Sequence, residues 1–402
     1  NGLSVEFYGK GLTLGPDAGI GQSLYSGLDY LEYYSQFPSH NTVCVDGISS
    51  YPVMKSNHAF KLLHSYPQPS TAEERNLASE NYFRGVCYTE TYFREPESQA
   101  DQTRLLSIVD TDGGGYYVDI FRSRKHEGGD KMHDYFYHNL GQTMTLTAAD
   151  GTDLNLQPTE ELAFAGAHLY AYSYLYDKKV AATDKDVKVT FTIDMKDKDG
   201  DDISMNLWMK GEPEREVFTA LAPMTEGLSR IPGMPYNIKE QPTLTFVARQ
   251  HGEAWNRPFV AVYEPSTRKE PSAIEAVSFF DAEEAGLKDF AGICVESKNG
   301  RTDHIFSLSD SSQTATYRGM KVKADYAVIS NEYAGNRTFF LGNGTQLITP
   351  DVSIRTSAAA NVLLEQKQGK WYILSSAPCT IMIDGKNVQS GVTSKSTLLA
   401  VQ

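Results

Sequence analysis

Cysteine is scarce in this chain, with four residues among 402. Cys44, Cys87, Cys294 and Cys379 lie far apart, and no two form the CxxC pair that zinc ribbons and thioredoxin-like proteins use. Each stands in an apolar, strand-like context. We therefore expect buried free thiols, because an isolated cysteine behaves as a small apolar side chain.

Long apolar runs and an excess of positive charge are also missing. The sequence has no stretch of about 18 consecutive apolar residues, so it offers no candidate membrane-spanning helix. The formal net charge of −14 argues against nucleic acid or an anionic membrane as a partner. With 40% apolar residues and a mean hydropathy of −0.40, the composition is that of a globular protein.

The motifs of several large enzyme classes are absent as well. The chain contains no P-loop, no GxSxG and no HExxH motif. Strand-like segments do not alternate with helical ones, which excludes a Rossmann-type fold. Only residues 71–79 have the pattern of a short helical turn.

Strand patterning runs along the whole chain instead. Residues 2–8 alternate apolar and polar side chains, and the glycine-rich segment 110–115 separates two similar runs as a hairpin turn. We predict an all-β protein with a large antiparallel β-sandwich over residues 1–285. A smaller all-β unit is predicted over residues 286–402. Residues 275–280 are compatible with pairing in the first sheet system.

Residues 17–55 contain the densest group of side chains suited to chemistry. Asp17 and His40 are of the types that bind divalent metals, although their spacing also fits a capping aspartate and a hydrogen-bonded histidine. Four tyrosines lie between them: Tyr25, Tyr30, Tyr33 and Tyr34. Phenols stack on sugar rings and transfer protons, and the alternative for each tyrosine is ordinary packing.

Three further histidines, His126, His133 and His138, stand close together in the sequence. Alternation places His133 and His138 on opposite faces of one strand, and a metal site here would need a third ligand that the sequence does not indicate. We expect them to make structural hydrogen bonds.

Four separated motifs occur in one order and carry a family resemblance. They are NGLSVEFYGKG at residues 1–11, LGPDAG at 14–19, SHNTVCVDG at 39–47, and DIFR at 119–122 followed by HDYFYH at 133–138. These motifs resemble the β-sandwich half of the heparinase II/III-like polysaccharide lyases. With its C-terminal β unit, the chain is most similar in organisation to the three-domain alginate lyases of that superfamily.

The resemblance implies a substrate and a further domain. An (α/α) toroid is expected upstream of Asn1, where the chain starts without a methionine or a signal peptide. The substrate groove would lie between toroid and sandwich, and the partner would be an acidic polysaccharide. The implied reaction is β-elimination at a uronic acid, which needs a base, a group that neutralises the carboxylate, and an acid for the leaving oxygen.

The resemblance also implies site residues. Asp17 and His40 would bind a divalent metal together with an upstream histidine. Zinc is the expected metal, with manganese and calcium as alternatives. Tyr25 or Tyr30 would be catalytic, and Tyr25, soon after the glycine-rich loop, is preferred. The expected substrate-binding residues are Asn41, Tyr33, Tyr34, His58 and Arg122.

The function expected from the sequence is therefore a secreted or periplasmic polysaccharide lyase, with alginate as its substrate. Two alternatives stay open at this point. One is a lyase for heparan sulfate or a chondroitin-type glycosaminoglycan, and the other is a non-catalytic carbohydrate-binding β-sandwich. The acidic composition of the chain favours alginate over heparin-like substrates, because proteins bind heavily sulfated chains in grooves lined with Arg and Lys.

Overall fold

A computed structural model describes residues 2–19, 29–48, 60–67, 85–111, 114–162, 170–195, 201–225, 240–331 and 335–399. Strands make up 62% of the structure and helices 4%, which confirms the predicted all-β fold class. The helical elements are short: a π-helical turn at Tyr30–Tyr34, a 3₁₀ turn at Phe37–Ser39 and helix α1 at Tyr170–Ser173. In this described part of the chain, no helix has the length and apolarity needed to cross a bilayer.

The strands are numbered in chain order. The first sixteen are β1 (Phe7–Gly9), β2 (Leu12–Gly15), β3 (Val43–Val45), β4 (Lys61–Tyr66), β5 (Val86–Arg94), β6 (Ala100–Thr111), β7 (Gly114–Lys125), β8 (Met132–Asn139), β9 (Thr143–Ala148), β10 (Gln157–Pro158), β11 (Tyr176–Ala182), β12 (Val187–Ile193), β13 (Ile203–Met209), β14 (Glu216–Ala222), β15 (Thr243–His251) and β16 (Ala254–Thr267). The remainder are β17 (Ile274–Phe280), β18 (Phe290–Ser297), β19 (Thr302–Leu308), β20 (Ala315–Tyr317), β21 (Met320–Asn331), β22 (Arg337–Ile348), β23 (Val352–Lys367), β24 (Lys370–Ser375), β25 (Cys379–Ile383), β26 (Lys386–Ser390) and β27 (Thr393–Leu399).

The chain forms two compact units, each built from separate segments. Unit 1 consists of Asn1–Leu62, Thr91–Leu105 and Val118–Ser272, and unit 2 of Leu63–Glu90, Leu106–Tyr117 and Ala273–Gln402. Strands β4 to β7 each contribute residues to both units. Unit 2 is therefore not one continuous piece of the sequence.

Unit 1 is a sandwich of antiparallel strands from two sheets. One sheet has the order β10-β11-β14-β15-β8-β3, and the other has the order β4-β5-β6-β7-β16-β13-β12-β9. Strand β12 shows why the sheets pack, because every second side chain from Val187 to Ile193 is buried. Rings from both sheets meet in the core, where Tyr137 lies 5.4 Å from Phe191 and 4.8 Å from Tyr263 between centroids.

Unit 2 contains an antiparallel sheet of eleven strands. Its main path runs β17-β18-β19-β21-β22-β23-β24-β27, with β20, β25 and β26 paired off that path. Buried apolar side chains from this sheet form one cluster, which includes Phe280, Phe306, Leu341, Ile354 and Val362. Burial of this cluster supplies the main stabilisation of the unit.

The boundary between the units differs from the predicted one. The structure divides the chain at 272/273 where the sequence suggested 285/286. The reason is β17, which pairs with β18 and buries Phe280 in the apolar cluster of unit 2. Residues 275–280 thus pair within unit 2 and not in the first sheet system. Alternation alone identifies a strand, but it does not identify the neighbour of that strand.

Candidate functional site

The segment that carries His40 is held by two tight turns. The π-helical turn Tyr30–Tyr34 leads into the 3₁₀ turn Phe37–Ser39, which has a proline at its start. His40 follows, and its backbone N–H donates to the Phe37 carbonyl at 2.9 Å. π-helical turns are rare and occur often at functional sites, so the conformation of this segment is typical of a functional region.

His40 is paired with Asp17, the residue predicted to bind a metal together with it. His40 Nδ1 lies 2.9 Å from Asp17 Oδ2, and His40 Nε2 lies 2.9 Å from the Tyr34 carbonyl oxygen. The imidazole is fully buried. Burial raises the pKa of Asp17, but the hydrogen bond and charge of His40 outweigh it and lower the pKa to about 2. Asp17 is thus an ionised partner for His40 at neutral pH.

The same pair gives only part of a metal site. Its nitrogen and oxygen donors suit zinc, but a protein zinc site uses three or four protein ligands. Among the residues that the structure describes, no third His, Cys, Asp or Glu joins Asp17 and His40 in a three-ligand group. Both ring nitrogens of His40 already lie within hydrogen-bond distance of a partner. Zinc binding by this pair stays a prediction.

A buried ion pair, Arg104–Asp119, holds the His40 segment in place. Arg104 on β6 donates from Nε to Asp119 Oδ1 at 2.9 Å and from Nη2 to Asp119 Oδ2 at 2.5 Å. Its Nη1 donates to the carbonyls of Leu3 and Asn41, at 2.5 and 2.6 Å. Tyr135 also donates to Asp119 Oδ2, at 2.6 Å. The guanidinium therefore joins the start of the described chain, the residue after His40 and the sheet.

Asn41 has its side-chain amide engaged inside the protein. Nδ2 lies 3.0 Å from the Val5 carbonyl and 3.1 Å from the Pro16 carbonyl, and Oδ1 accepts from the His138 backbone N–H at 2.7 Å. The residue has no exposed surface. These contacts fix the backbone around Asp17 and His40, and substrate binding by Asn41 stays a prediction that the observed conformation does not support.

The tyrosines of the same segment differ in exposure. Tyr30 is half-buried, whereas Tyr33 and Tyr34 are buried. The Tyr34 hydroxyl donates to the Met224 carbonyl at 2.7 Å, and Tyr33 stacks on Tyr174 with 5.4 Å between ring centroids. Of these three phenols, only Tyr30 keeps the partial access that a catalytic role requires.

Arg122, Tyr25 and His58 are the remaining predicted site residues. Arg122 lies in the interior of β7 with no exposed area. Tyr25 and His58 lie outside the described residues. Their proposed catalytic and substrate-binding roles remain predictions.

His133 and His138 make the hydrogen bonds expected of structural histidines. His133 Nε2 lies 2.9 Å from Asp130 Oδ1. His138 Nδ1 lies 2.9 Å from Thr245 Oγ1, and its Nε2 lies 3.0 Å from the Pro38 carbonyl oxygen. Burial lowers the pKa of His138 to about 4 and outweighs the opposing hydrogen bond to Pro38, so the ring is neutral at physiological pH.

A second group of side chains suited to chemistry lies in unit 1, along the edge that strand ends form in the eight-stranded sheet. We call it the edge cluster, and it consists of Tyr92, Arg94, Asp101, Arg124, His126 and Trp255. Neighbouring antiparallel strands bring it together, since β5 and β7 end there and β6 and β16 begin there. The cluster is accessible, because Arg94, Arg124 and His126 are exposed.

One carboxylate bridges two proton-transfer groups in the edge cluster. Tyr92 Oη donates to Asp101 Oδ1 at 2.6 Å, and His126 Nε2 pairs with Asp101 Oδ2. The His126 side chain is 43% exposed, in contrast to the fully buried ring of His40. Burial and the hydrogen bond to Asp101 raise the pKa of the Tyr92 phenol, although Arg94 and Arg124 act in the opposite direction. Tyr92 therefore keeps its proton at neutral pH.

Cationic and aromatic groups border this bridge. The Arg124 guanidinium lies 4.1 Å from the centroid of the Trp255 ring, a cation–π contact. Arg94 is exposed two residues after Tyr92 on the same strand and the same face. Guanidinium groups bind carboxylates, and aromatic faces stack on sugar rings. The edge cluster thus contains side chains of the types that transfer protons and of the types that bind acidic sugars.

The sequence interpretation missed this cluster and treated His126 as structural. The available signal was the spacing of Tyr92 with Arg94 and of Arg124 with His126, each two residues apart at the end of a strand. That spacing places the two residues of each pair on the same face of their strand. It does not indicate that the ends of β5 and β7 lie close together in the sheet. The meeting depends on the order of strands in the sheet.

Comparison with known proteins points to one class of enzyme. Residues 277–366 match the family described as endo-acting ulvan lyase C-terminal domain. Over 337 residues the chain is 29% identical to an endo-acting ulvan lyase of Formosa agariphila, a region that covers 80% of this chain and 39% of that protein. The chain therefore spans about two fifths of the length of this relative. Neither comparison shows the heparinase II/III-like or alginate lyase organisation expected from the resemblance.

Proposed function

We propose that this chain is the C-terminal part of a polysaccharide lyase that cleaves ulvan by β-elimination. The observation that supports this most is the 29% identity to an ulvan lyase across 337 residues, which covers segments of both units. It replaces the alginate expectation with a different uronic-acid-containing polymer. The upstream toroid and a secreted or periplasmic location remain part of the proposal, and the latter suits a polymeric substrate.

The reaction requires three groups within reach of one sugar ring. A base removes the C5 proton of the uronic acid, and a cationic or hydrogen-bonding group stabilises the charge that develops on its carboxylate. An acid then protonates O4 as the C4–O4 bond breaks. The electron pair of the C5–H bond becomes the C4=C5 double bond of the product.

The edge cluster supplies a base with a fixed tautomer. When Asp101 accepts the Nε2 proton of His126, the lone pair of the imidazole is at Nδ1. We assign His126 Nδ1 as the group that accepts the C5 proton. Asp101 then stabilises the imidazolium that forms, as the carboxylate does in other histidine–carboxylate pairs.

Tyr92 is assigned as the acid that protonates O4. Its phenol holds its proton at neutral pH, because burial and Asp101 raise its pKa. After elimination, the phenolate of Tyr92 and the imidazolium of His126 both lie beside the same Asp101 carboxylate. A proton that passes from His126 through Asp101 to Tyr92 restores both groups, so the cycle balances without a further reactant.

Arg94, Arg124 and Trp255 are assigned to binding. An arginine fork forms two parallel hydrogen bonds with a carboxylate, which would place the uronic acid and neutralise its charge in the transition state. The Trp255 ring, half-buried beside Arg124, offers an aromatic edge to the sugar. The surface would bind an acidic chain even though the protein as a whole is acidic.

The test is activity of the full-length protein on ulvan, followed by the ultraviolet absorbance of the unsaturated product. We expect Tyr92→Phe and His126→Gln to lower kcat/KM by about 100-fold or more, the usual contribution of an acid or base. His251→Gln is the matched control, because His251 is also an exposed histidine paired with a carboxylate, Glu216, at 2.8 Å. The control should retain wild-type activity.

Two outcomes would overturn parts of this proposal. Wild-type activity in Tyr92→Phe and His126→Gln, with loss of activity in Tyr30→Phe, would return catalysis to the residues expected from the resemblance. Binding of ulvan without any unsaturated product would favour the non-catalytic carbohydrate-binding alternative. The zinc prediction is tested separately, since His40→Ala should lower the metal content of the purified protein if Asp17 and His40 are ligands.

A further inference from the structure

Unit 2 contains a cluster of metal-ligand side chains that shares no residue with the Asp17–His40 pair of unit 1. His64 lies on β4, Glu90 on β5 and Asp325 on β21. Each offers one ligand atom, and the three atoms lie within 4.8 Å of one another. Ligands bound at about 2.0–2.4 Å to one ion are separated by at most roughly 4–5 Å. The three donors are therefore spaced as ligands of a single cation.

Burial sets this cluster apart from ordinary surface carboxylates. Glu90 is 5% exposed and Asp325 is 5% exposed, whereas the His64 side chain is 33% exposed. Acidic side chains are rarely buried unless they are paired or bind a metal. His64 Nε2 lies 3.0 Å from Asp325 Oδ2, so the imidazole forms the solvent-facing side of the cluster.

The backbone of β22 places a fourth polar group against the same atoms. The Asn343 amide contacts Asp325 Oδ2, and it lies 3.2 Å from His64 Nε2. The pairing of β21 with β22 is irregular near this point, and Asn343 has a φ of 45°, in the left-handed region. Such irregularities redirect a side chain out of the usual alternation. Rotation of the amide by half a turn presents its oxygen, which is a metal ligand, in place of its nitrogen.

Tyr88 is an independent observation that points to a ligand at this place. Tyr88 and Glu90 lie two residues apart on β5 and therefore on the same face. Tyr88 is 3% exposed, and its hydroxyl has no hydrogen-bond partner among the described residues. A buried donor without an acceptor is costly, and a bound ion or its water is a common explanation.

We propose that unit 2 binds a divalent cation through His64, Glu90 and Asp325, with Asn343 as a supporting ligand. One imidazole nitrogen with two carboxylates favours zinc or manganese over calcium and magnesium, which prefer oxygen ligands alone. The ion would connect β4 and β5 with β21 and β22 inside unit 2. Its role is structural, and it is independent of the lyase reaction proposed for unit 1.

The experiment counts bound metal in the full-length protein. The protein is stripped with EDTA, titrated with zinc or manganese chloride, and its metal content, affinity and Tm are measured. Because Asp17 and His40 are a separate predicted metal pair, every variant is also made in an Asp17→Asn background. We expect His64→Gln and Glu90→Gln to bind the ion at least about 10-fold more weakly. The rise in Tm on metal addition should disappear in both variants.

Asp351→Asn is the matched control, because Asp351 is a carboxylate of unit 2 paired with Arg337 and not with the cluster. It should bind metal as the wild type does. Unchanged stoichiometry and affinity in His64→Gln would overturn the proposal, as would absence of any bound zinc or manganese in the Asp17→Asn protein. His64→Gln decides the matter even if Glu90→Gln fails to fold, since the His64 side chain is one third exposed. Lyase activity does not enter this test.

Discussion

Two of the histidine–aspartate pairs in unit 1, His40–Asp17 and His126–Asp101, share their chemistry and differ in their surroundings. The ring of His40 is fully buried, with Asp17 at one nitrogen and the Tyr34 carbonyl at the other. The ring of His126 is 43% exposed and has Asp101 at Nε2. The first pair shapes the fold around it, and the second has an imidazole nitrogen that a substrate can reach. Solvent access, more than residue type, distinguishes these two pairs.

The largest expected effect concerns the Arg104–Asp119 ion pair, which holds the segment around His40 in place. Arg104→Met should lower the free energy of unfolding by about 3–5 kcal/mol, because it leaves Asp119 as a buried charge without its guanidinium. Denaturant unfolding measures this. The control is Lys185→Gln, which removes an exposed ion pair whose Lys185 Nζ and Asp150 Oδ2 atoms lie 3.6 Å apart. This change should alter the free energy of unfolding by less than about 0.5 kcal/mol. Equal effects in the two variants would contradict the role given to Arg104.

The next effect concerns pH and the neighbouring buried ring of His138. Its pKa is about 4 in the folded protein, mainly because of burial, and a histidine in an unfolded chain titrates near about 6.5. Between these values the unfolded chain binds a proton that the folded protein does not. The contribution is therefore fully present above about pH 6.5, and it is lost as the pH falls toward 4, to a total of about 3 kcal/mol.

Urea unfolding of the wild type and His138→Gln at several pH values between about 7.5 and 4 would measure this loss. The loss of stability should fall between about pH 6.5 and pH 4, the two pKa values of the ring. The stability difference between the two proteins should shrink as the pH falls. A difference that stays constant with pH would show that His138 does not titrate as proposed.

The smallest effect compares the two pairs directly. His40→Gln should lower the free energy of unfolding by about 1–3 kcal/mol, because buried hydrogen-bond partners lose their ring. His126→Gln should change it by less than about 0.5 kcal/mol, since its ring is exposed. Thermal unfolding of both variants side by side would suffice. A similar loss of stability in both would remove the distinction between a structural and an accessible pair.

Much of the fold follows from local pattern, as β12 shows. Its alternation of apolar and polar residues predicts a strand with one buried face, and the structure has that strand from Val187 to Ile193. The proximity of Asp17 and His40 was also expected, and they lie 2.9 Å apart. That expectation came from a family resemblance. Their spacing in the sequence did not decide it, because the same spacing also fits a capping aspartate and a separate, hydrogen-bonded histidine.

The rest depends on contacts that no local pattern encodes. Tyr92, Asp101 and His126 come from three strands, and their meeting requires the register of neighbouring strands. The burial of Asn41 likewise follows from carbonyls at Val5 and Pro16, far away in the sequence. A polar residue in a promising motif can therefore hold the backbone in place while less conspicuous residues face the solvent.

The discontinuity of unit 2 has a consequence for how the protein can be made and divided. Asn343 contacts His64 across 279 positions of the chain, so this unit closes only after its last segment, Ala273–Gln402, has been synthesised. Contacts of such long range make folding slow, because chain entropy is lost before they form. A cut at 272/273 would separate β17 to β27 from their partners in Leu63–Glu90 and Leu106–Tyr117. Expression of residues 277–366 alone would in addition leave out β24 to β27. The segment that matches a known family is thus only one piece of the body that has to fold.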